Sequence, residues 1–260
     1  MISLPITLML LFACDTAKEK NSESESTSLP TTISATIPEI LNNENSDAGA
    51  HWIAPKVVLL ATAMKDVQYK LISQVSESSE SSALTAIDMP QWALKKHPHL
   101  AKFKAFSVTI SNEKVKQWLK HPVIVSGQRN THTSINVSTN IKSTSSPIVH
   151  RVQFGELLDA LYTKSTNDAD EVADLGATIT QDTVTFKLWA PTATAVTVQL
   201  FNQDKSPANI ANIALTENQK TGIWQGTLDS KYAGYYYRYQ LDVFHPATWQ
   251  YENVVTTDPY

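Results

Sequence analysis

Hydrophobic and polar positions alternate most cleanly in the last third of the chain. Val184, Phe186 and Leu188 interleave with Thr183, Thr185 and Lys187, the period of two expected of a strand with one buried face. Val196, Val198 and Leu200 repeat the pattern. From Tyr235 to Phe244 the same rule sends Tyr235, Tyr237, Tyr239, Leu241 and Val243 to one side and Tyr236, Arg238, Gln240 and Asp242 to the other. Turn residues punctuate the strands at Pro191, at Lys220-Thr221-Gly222 and at Ala233-Gly234. Half-buried strands with such breaks predict two facing sheets, a β-sandwich over residues 175–260. Trp224 shares a face with Leu228 and belongs to the predicted core, as do Tyr237 and Tyr239.

The segment before the sandwich mixes two periods. Val57 to Leu60 is an apolar run of strand length, Asp66 to Ser73 alternates with Val67, Tyr69 and Leu71 on one face, and Phe103 to Ile110 and Val123 to Val125 read as further strands. The Ser/Glu stretch from Ser76 to Ser82 predicts a surface loop. Asp88-Met89-Pro90 predicts a helix start with Asp88 as its cap, and Ser111 caps a short helix in which Val115, Trp118 and Leu119 share a face. Around Phe154 the period turns helical, with Leu157, Leu158, Leu161 and Tyr162 as the apolar stripe. The expectation is a small α+β domain over 50–165, followed by a polar linker over 166–174. No internal repeat is visible.

Residues 15–49 are rich in Ser, Thr, Glu and Asn, with too few apolar residues to offset the entropy of ordering them, and predict a disordered tether. Residues 1–14 hold an apolar run from Ile6 to Phe12, too short to span a bilayer, that ends in Leu-Phe-Ala-Cys. This resembles a bacterial lipoprotein signal, in which the cysteine is lipidated and becomes the new N-terminus. Cys14 is the sole cysteine, so a disulfide framework is excluded. The expected address is extracytoplasmic, with the chain anchored to a bacterial membrane or cell surface through lipid on Cys14, secretion being the alternative.

Charge and chemistry narrow the classes further. A net charge of −4 with scattered basic residues gives no field for nucleic acid. His97 and His99 flank Pro98, while His132, His150 and His245 are isolated, and no Cys or carboxylate stands at ligand spacing, so no metal site is assigned. No cofactor is implied. Calcium is left open for loops rich in Asp and Asn such as Asn167 to Asp174, a run that reads as solvated linker. There is no Gly-x-Ser-x-Gly elbow and no phosphate-cradling glycine loop.

Three phrases carry a family resemblance: Leu-Gly-Ala-Thr from Leu175, Thr-Phe-Lys-Leu-Trp-Ala-Pro-Thr-Ala from Thr185, and Thr-Asp-Pro-Tyr ending at Tyr260. At this spacing they resemble the N-terminal sandwich that precedes the catalytic barrel in pullulanases and isoamylases. Ala-His-Trp from Ala50, Pro-His-Leu from Pro98 and Leu-Leu-Asp-Ala-Leu-Tyr from Leu157 follow the order of the domain before that sandwich in bacterial secreted pullulanases. The resemblance implies a mainly β chain ending in an immunoglobulin-like, starch-type carbohydrate-binding sandwich. It also implies a parent hydrolase of α-1,6-glucosidic branch bonds, with this chain supplying anchoring, barrel docking and glucan contact.

That superfamily cleaves with a carboxylate nucleophile and a carboxylic acid on the ends of barrel strands. The phrases that hold those groups are absent between Met1 and Tyr260, so no catalytic residue is assigned and the chain alone is expected to be inactive. The partners expected are an α-glucan, the catalytic barrel that this chain lacks, and a membrane. Trp189 and Tyr236 lie off the predicted core face, and with Trp249 they are the candidate sugar contacts, because the CH faces of glucose stack on flat rings. The alternatives are a stand-alone surface lipoprotein that binds α-glucan without catalysis, and a sandwich used for protein contact, marked by an exposed apolar patch.

Overall fold

A computed structural model describes residues 47–75, 78–129 and 147–260. Cys14, His132 and nearly all of the expected tether lie outside them. The chain builds two β bodies in sequence, with three short helices on the first.

The first body has strands β1 (Asp47–Ala54), β2 (Val57–Leu60), β3 (Val67–Val75), β4 (Ser78–Ile87), β5 (Lys104–Val108), β6 (Val123–Arg129) and β7 (Ile148–Gln153). They close into a barrel in the order β1-β2-β5-β4-β3-β6-β7, antiparallel throughout except where β7 joins β1 in parallel. The α+β character expected of this region is therefore carried by a closed barrel and its helices. Trp52, Val58, Leu60, Tyr69, Leu71, Val108 and Val125 form its main core. Alternate residues of the same strands are buried on the other side: Ile53, Leu59 and Ala105 under α1 (Gln91–Lys96) and the turn Pro98–Leu100, and Ile124 with Val149 in a separate cluster. Burial on both faces explains why β2 and the start of β6 read as unbroken apolar runs. Helices α2 (Asn112–Trp118) and α3 (Gly155–Tyr162) add Val115, Trp118 and Leu157 to the main core.

Two expectations in this body are corrected. The Ser76–Ser82 stretch is largely strand, since β4 begins at Ser78 and pairs with β3 from Val75↔Ser78 to Lys70↔Ala83. Its side chains stay mostly exposed and the hydrogen-bond ladder, not apolar burial, specifies it, so hydropathy reads it as loop. Within it, Glu80 accepts from the buried Trp118 Nε1 at 2.8 Å and pairs with Lys114 at 2.6 Å. The helix at Asp88 starts later than expected: its N-cap is Pro90, with no side-chain cap, so Asp88 caps nothing. The expected Ser111 cap does form, with its hydroxyl accepting from Lys114 N at 3.3 Å.

The second body is the expected sandwich. One sheet runs β11-β10-β14-β15 and the other β12-β13-β9-β8. Their ranges are β8 (Gly176–Ile179), β9 (Thr183–Trp189), β10 (Ala193–Phe201), β11 (Ile213–Ala214), β12 (Thr216–Asn218), β13 (Ile223–Asp229), β14 (Tyr236–His245) and β15 (Gln250–Thr256). Val184, Phe186, Leu188, Val196, Val198, Leu200, Trp224 and Tyr239 meet between the sheets, as the alternation predicts. The connection from barrel to sandwich is more folded than its composition suggests. Asp168 is buried, its carboxylate accepting from Ser165 N, and Asn167 N donates to Glu171.

Candidate functional site

The outer face of the β11-β10-β14-β15 sheet is built by the half of the alternation that turns away from the core. Register sets Phe201 beside Tyr236, Gln199 beside Arg238 and Thr197 beside Gln240. On the other side of β14, Val255 lies beside Gln240, Asn253 beside Asp242 and Tyr251 beside Phe244. Tyr236 is half exposed, and the Arg238 guanidinium sits 5.4 Å from the Phe201 ring centroid, a cation–π contact that fixes both.

A row of planar polar groups crosses the middle of this face. Asn212 Nδ2 donates to Gln240 Oε1 at 3.2 Å, Gln240 Nε2 to Asn253 Oδ1 at 2.7 Å, and Asn253 Nδ2 to Asp242 Oδ1 at 2.6 Å. Each side chain is oriented by its neighbour while keeping further donor and acceptor capacity toward solvent. Flat rings beside fixed amides and a carboxylate make a surface that can stack a sugar and hydrogen-bond its hydroxyls.

At the barrel end of the same face the chain turns from β14 into β15. Trp249 there has a left-handed backbone (φ 59). Its ring packs edge-on to Phe244 at 5.0 Å, lies 5.5 Å from the Arg151 guanidinium of β7, and joins Ile124 and Val149 of the barrel. Next to it, the Tyr251 hydroxyl meets His121 Nδ1, from the loop after α2, at 2.6 Å. Burial, then the neighbouring Lys120 ammonium, hold the His121 imidazole below its usual pKa and favour the neutral ring, whose Nε2–H tautomer accepts from the phenol at Nδ1.

The three candidate rings thus occupy three different places. Tyr236 stands on the outer face. Trp249 is committed to the junction with the barrel. Trp189 is on β9 of the opposite sheet, half buried, with Nε1 donating to Thr221 O at 3.0 Å, so it braces the turn before Gly222. Phe201, Arg238, Asn212, Gln240, Asp242 and Asn253 were not singled out in the sequence. The alternation put Arg238, Gln240 and Asp242 on the right face, but their partners on β10, β11 and β15 depend on register.

A polar cleft of about 490 Å³ lies on another side, between α2, α3 and the β12–β13 turn. Lys116 Nζ donates to the carbonyls of Gln219 and Lys220 at 2.8 and 3.0 Å, and Lys120 pairs with Glu217 at 2.6 Å with both side chains largely buried. These contacts clasp barrel to sandwich. Gly222 (φ 69) lies in the same region, and a side chain there would meet Pro191 at 2.7 Å and Tyr162 at 3.1 Å. Elsewhere on the barrel, His97, His99 and His51 lie near one another, and His97 Nε2 is 3.7 Å from Glu156. Among the described residues no group of three His, Cys, Asp or Glu side chains is arranged to hold a metal, and no helix is long and apolar enough to cross a membrane.

Residues 174–260 match the family described as carbohydrate-binding module 48, the isoamylase N-terminal domain. The chain is 28% identical over 224 residues to a pullulanase of Klebsiella pneumoniae, covering 82% of this chain and 19% of that protein. It is 38% identical over 88 residues to the chloroplastic pullulanase 1 of Arabidopsis thaliana, covering 33% of this chain and 9% of that one. A crystal structure of the Klebsiella pneumoniae pullulanase complexed with maltotriose superposes with a TM-score of 0.68 at 26% identity, over 82% of this chain and 19% of that one. The chain is therefore the counterpart of the N-terminal, carbohydrate-binding region of pullulanases, and it spans about a fifth of the length of the bacterial one.

Proposed function

We propose that this chain captures α-glucan for a pullulanase-type debranching hydrolase, and that the glucan lies on the outer face of the β11-β10-β14-β15 sheet. The observation that carries this reading is the Asn212–Gln240–Asn253–Asp242 row beside Tyr236, Phe201 and Arg238, on residues that match a carbohydrate-binding family. Ring stacking supplies affinity and the fixed amides supply orientation. The complex of the Klebsiella enzyme with maltotriose supports an α-glucan as the ligand class.

The parent protein would hydrolyse α-1,6 branch bonds by double displacement on a separate barrel, for which this region acts as docking and capture surface. The lipid on Cys14 would hold the assembly outside the cytoplasm. Electrophoresis of the 260-residue chain through gels containing pullulan or amylopectin tests the binding claim. Retardation is expected, and Tyr236→Ala with Arg238→Ala should weaken it by roughly thirtyfold or more, the loss of about one stacked ring and one charge-assisted hydrogen bond. Retardation unchanged by both would remove the face from consideration.

A further inference from the structure

We propose that the barrel completes the glucan face: His121 holds Tyr251 as a fixed stacking ring, which extends the sugar-binding surface along β14 and β15 to the junction between the two bodies. This rests on the glucan-capture reading above. Tyr251 is 53% exposed, yet it is held at both ends. Its hydroxyl bonds His121 Nδ1, and its ring packs edge-on to Phe244 at 5.5 Å and to His121 at 6.2 Å. Phe244 is in turn backed by Trp249, which is seated on Ile124 and Val149 of the barrel.

A lone exposed tyrosine would lose rotamer freedom on stacking a sugar, whereas one already fixed loses less and binds more tightly for the same contact. Tyr251 pairs with Phe244, eight residues along β14 from Tyr236, so rings stand at both ends of a face about 26 Å long, with the amide row between them. Such a spacing suits an extended run of several α-linked glucosyl units and not a single sugar. His121 is here a positioning residue and Tyr251 the contacting one. The barrel acts on this face through the hydroxyl it anchors.

The test is affinity electrophoresis of the full chain in pullulan, with competition by maltotriose and by a longer linear malto-oligosaccharide. Tyr251→Ala should weaken pullulan retention and the long competitor roughly three- to tenfold, the worth of one stacked ring, and maltotriose less than twofold. His121→Ala and Tyr251→Phe should each cause a smaller loss, and combining them should cause no more than either alone. His121→Gln, whose amide oxygen can accept from the phenol, should restore retention. Equal losses for short and long sugars, or a fall that tracks melting temperature without rescue by Gln, would mean a merely structural contact and overturn the proposal. Retention unchanged in Tyr251→Ala while Tyr236→Ala weakens it would overturn the extension alone. An unaltered chain that is not retained would sink both readings together.

Discussion

Trp249 concentrates the cost of the junction in a single residue. A bulky side chain with a positive φ is strained by about 1–3 kcal/mol, and its Nε1 is buried with no hydrogen-bond partner among the described residues. What offsets this is the ring's place between Phe244, Arg151 and the barrel pair Ile124 and Val149. Removing the ring while keeping the strain is the worst combination. Trp249→Ala should therefore be less stable than Trp249→Gly by about 1 kcal/mol, and both less stable than the unaltered chain, as read from urea midpoints. Three tyrosines give a second residue-scale prediction. Burial, the leading cause at each, raises the phenols of Tyr162, Tyr237 and Tyr239 well above their usual value, aided by Glu217 at Tyr162 and by Asp258 at the other two. In the unfolded chain these groups ionise near pH 10, so the unfolded state releases protons that the folded state retains. Their contribution to stability is whole below that pH and shrinks as pH climbs beyond it. Melting temperature should hold between pH 7 and 9 and fall above about 10, and Tyr239→Phe should shallow the fall.

At the scale of elements, α2 turns one face into the barrel core and reaches with the other for the sandwich. Val115 and Trp118 are buried, while Lys116, and Lys120 just past the helix end, take the carbonyls and Glu217 of the β12–β13 region. Glu217→Ala would strand a largely buried ammonium and should destabilise by about 1–2 kcal/mol, more than an open surface pair. Pairing Lys120→Met with Glu217→Leu should recover most of that, measured as a double-mutant cycle of melting midpoints. Alternation and capping made this helix, the sandwich strands and both twice-buried runs legible in the sequence, because each leaves a local pattern in hydropathy or turn chemistry. β4 left none, since Ser78–Ser82 is polar and mostly exposed and is specified by its hairpin ladder with Leu71–Val75, which hydropathy does not record. The proposed sugar face was half legible. Residues on β14 sort by parity alone, but joining Gln240 to Asn212 and Asn253 needs a register that no local pattern encodes. Trp189, drawn to the surface by parity, is taken inward by contact with a turn, and the other tryptophan candidate, Trp249, by contact with the barrel.

Taken as a whole, the molecule carries the proposed glucan face on one body and fastens that body to a closed barrel at two separate places, the lysine clasp and the Trp249 wedge. Lipid attachment can be checked in cells by labelling with a palmitate analogue: incorporation is expected in the unaltered chain and none in Cys14→Ser. The purified 260-residue chain should release no maltotriose from pullulan under any condition in which it binds. The closure of the barrel has a further, mechanical meaning. β1 is the strand through which the preceding residues enter, and it lies between β2, antiparallel, and β7, parallel, so both of its edges are hydrogen-bonded. Tension arriving along the chain from before Asp47 would load those two ladders in shear, with many bonds sharing the force at once, instead of peeling them open one by one. If the proposed lipid anchor and glucan face both act, a pull between them would thus be carried by both ladders of β1 together.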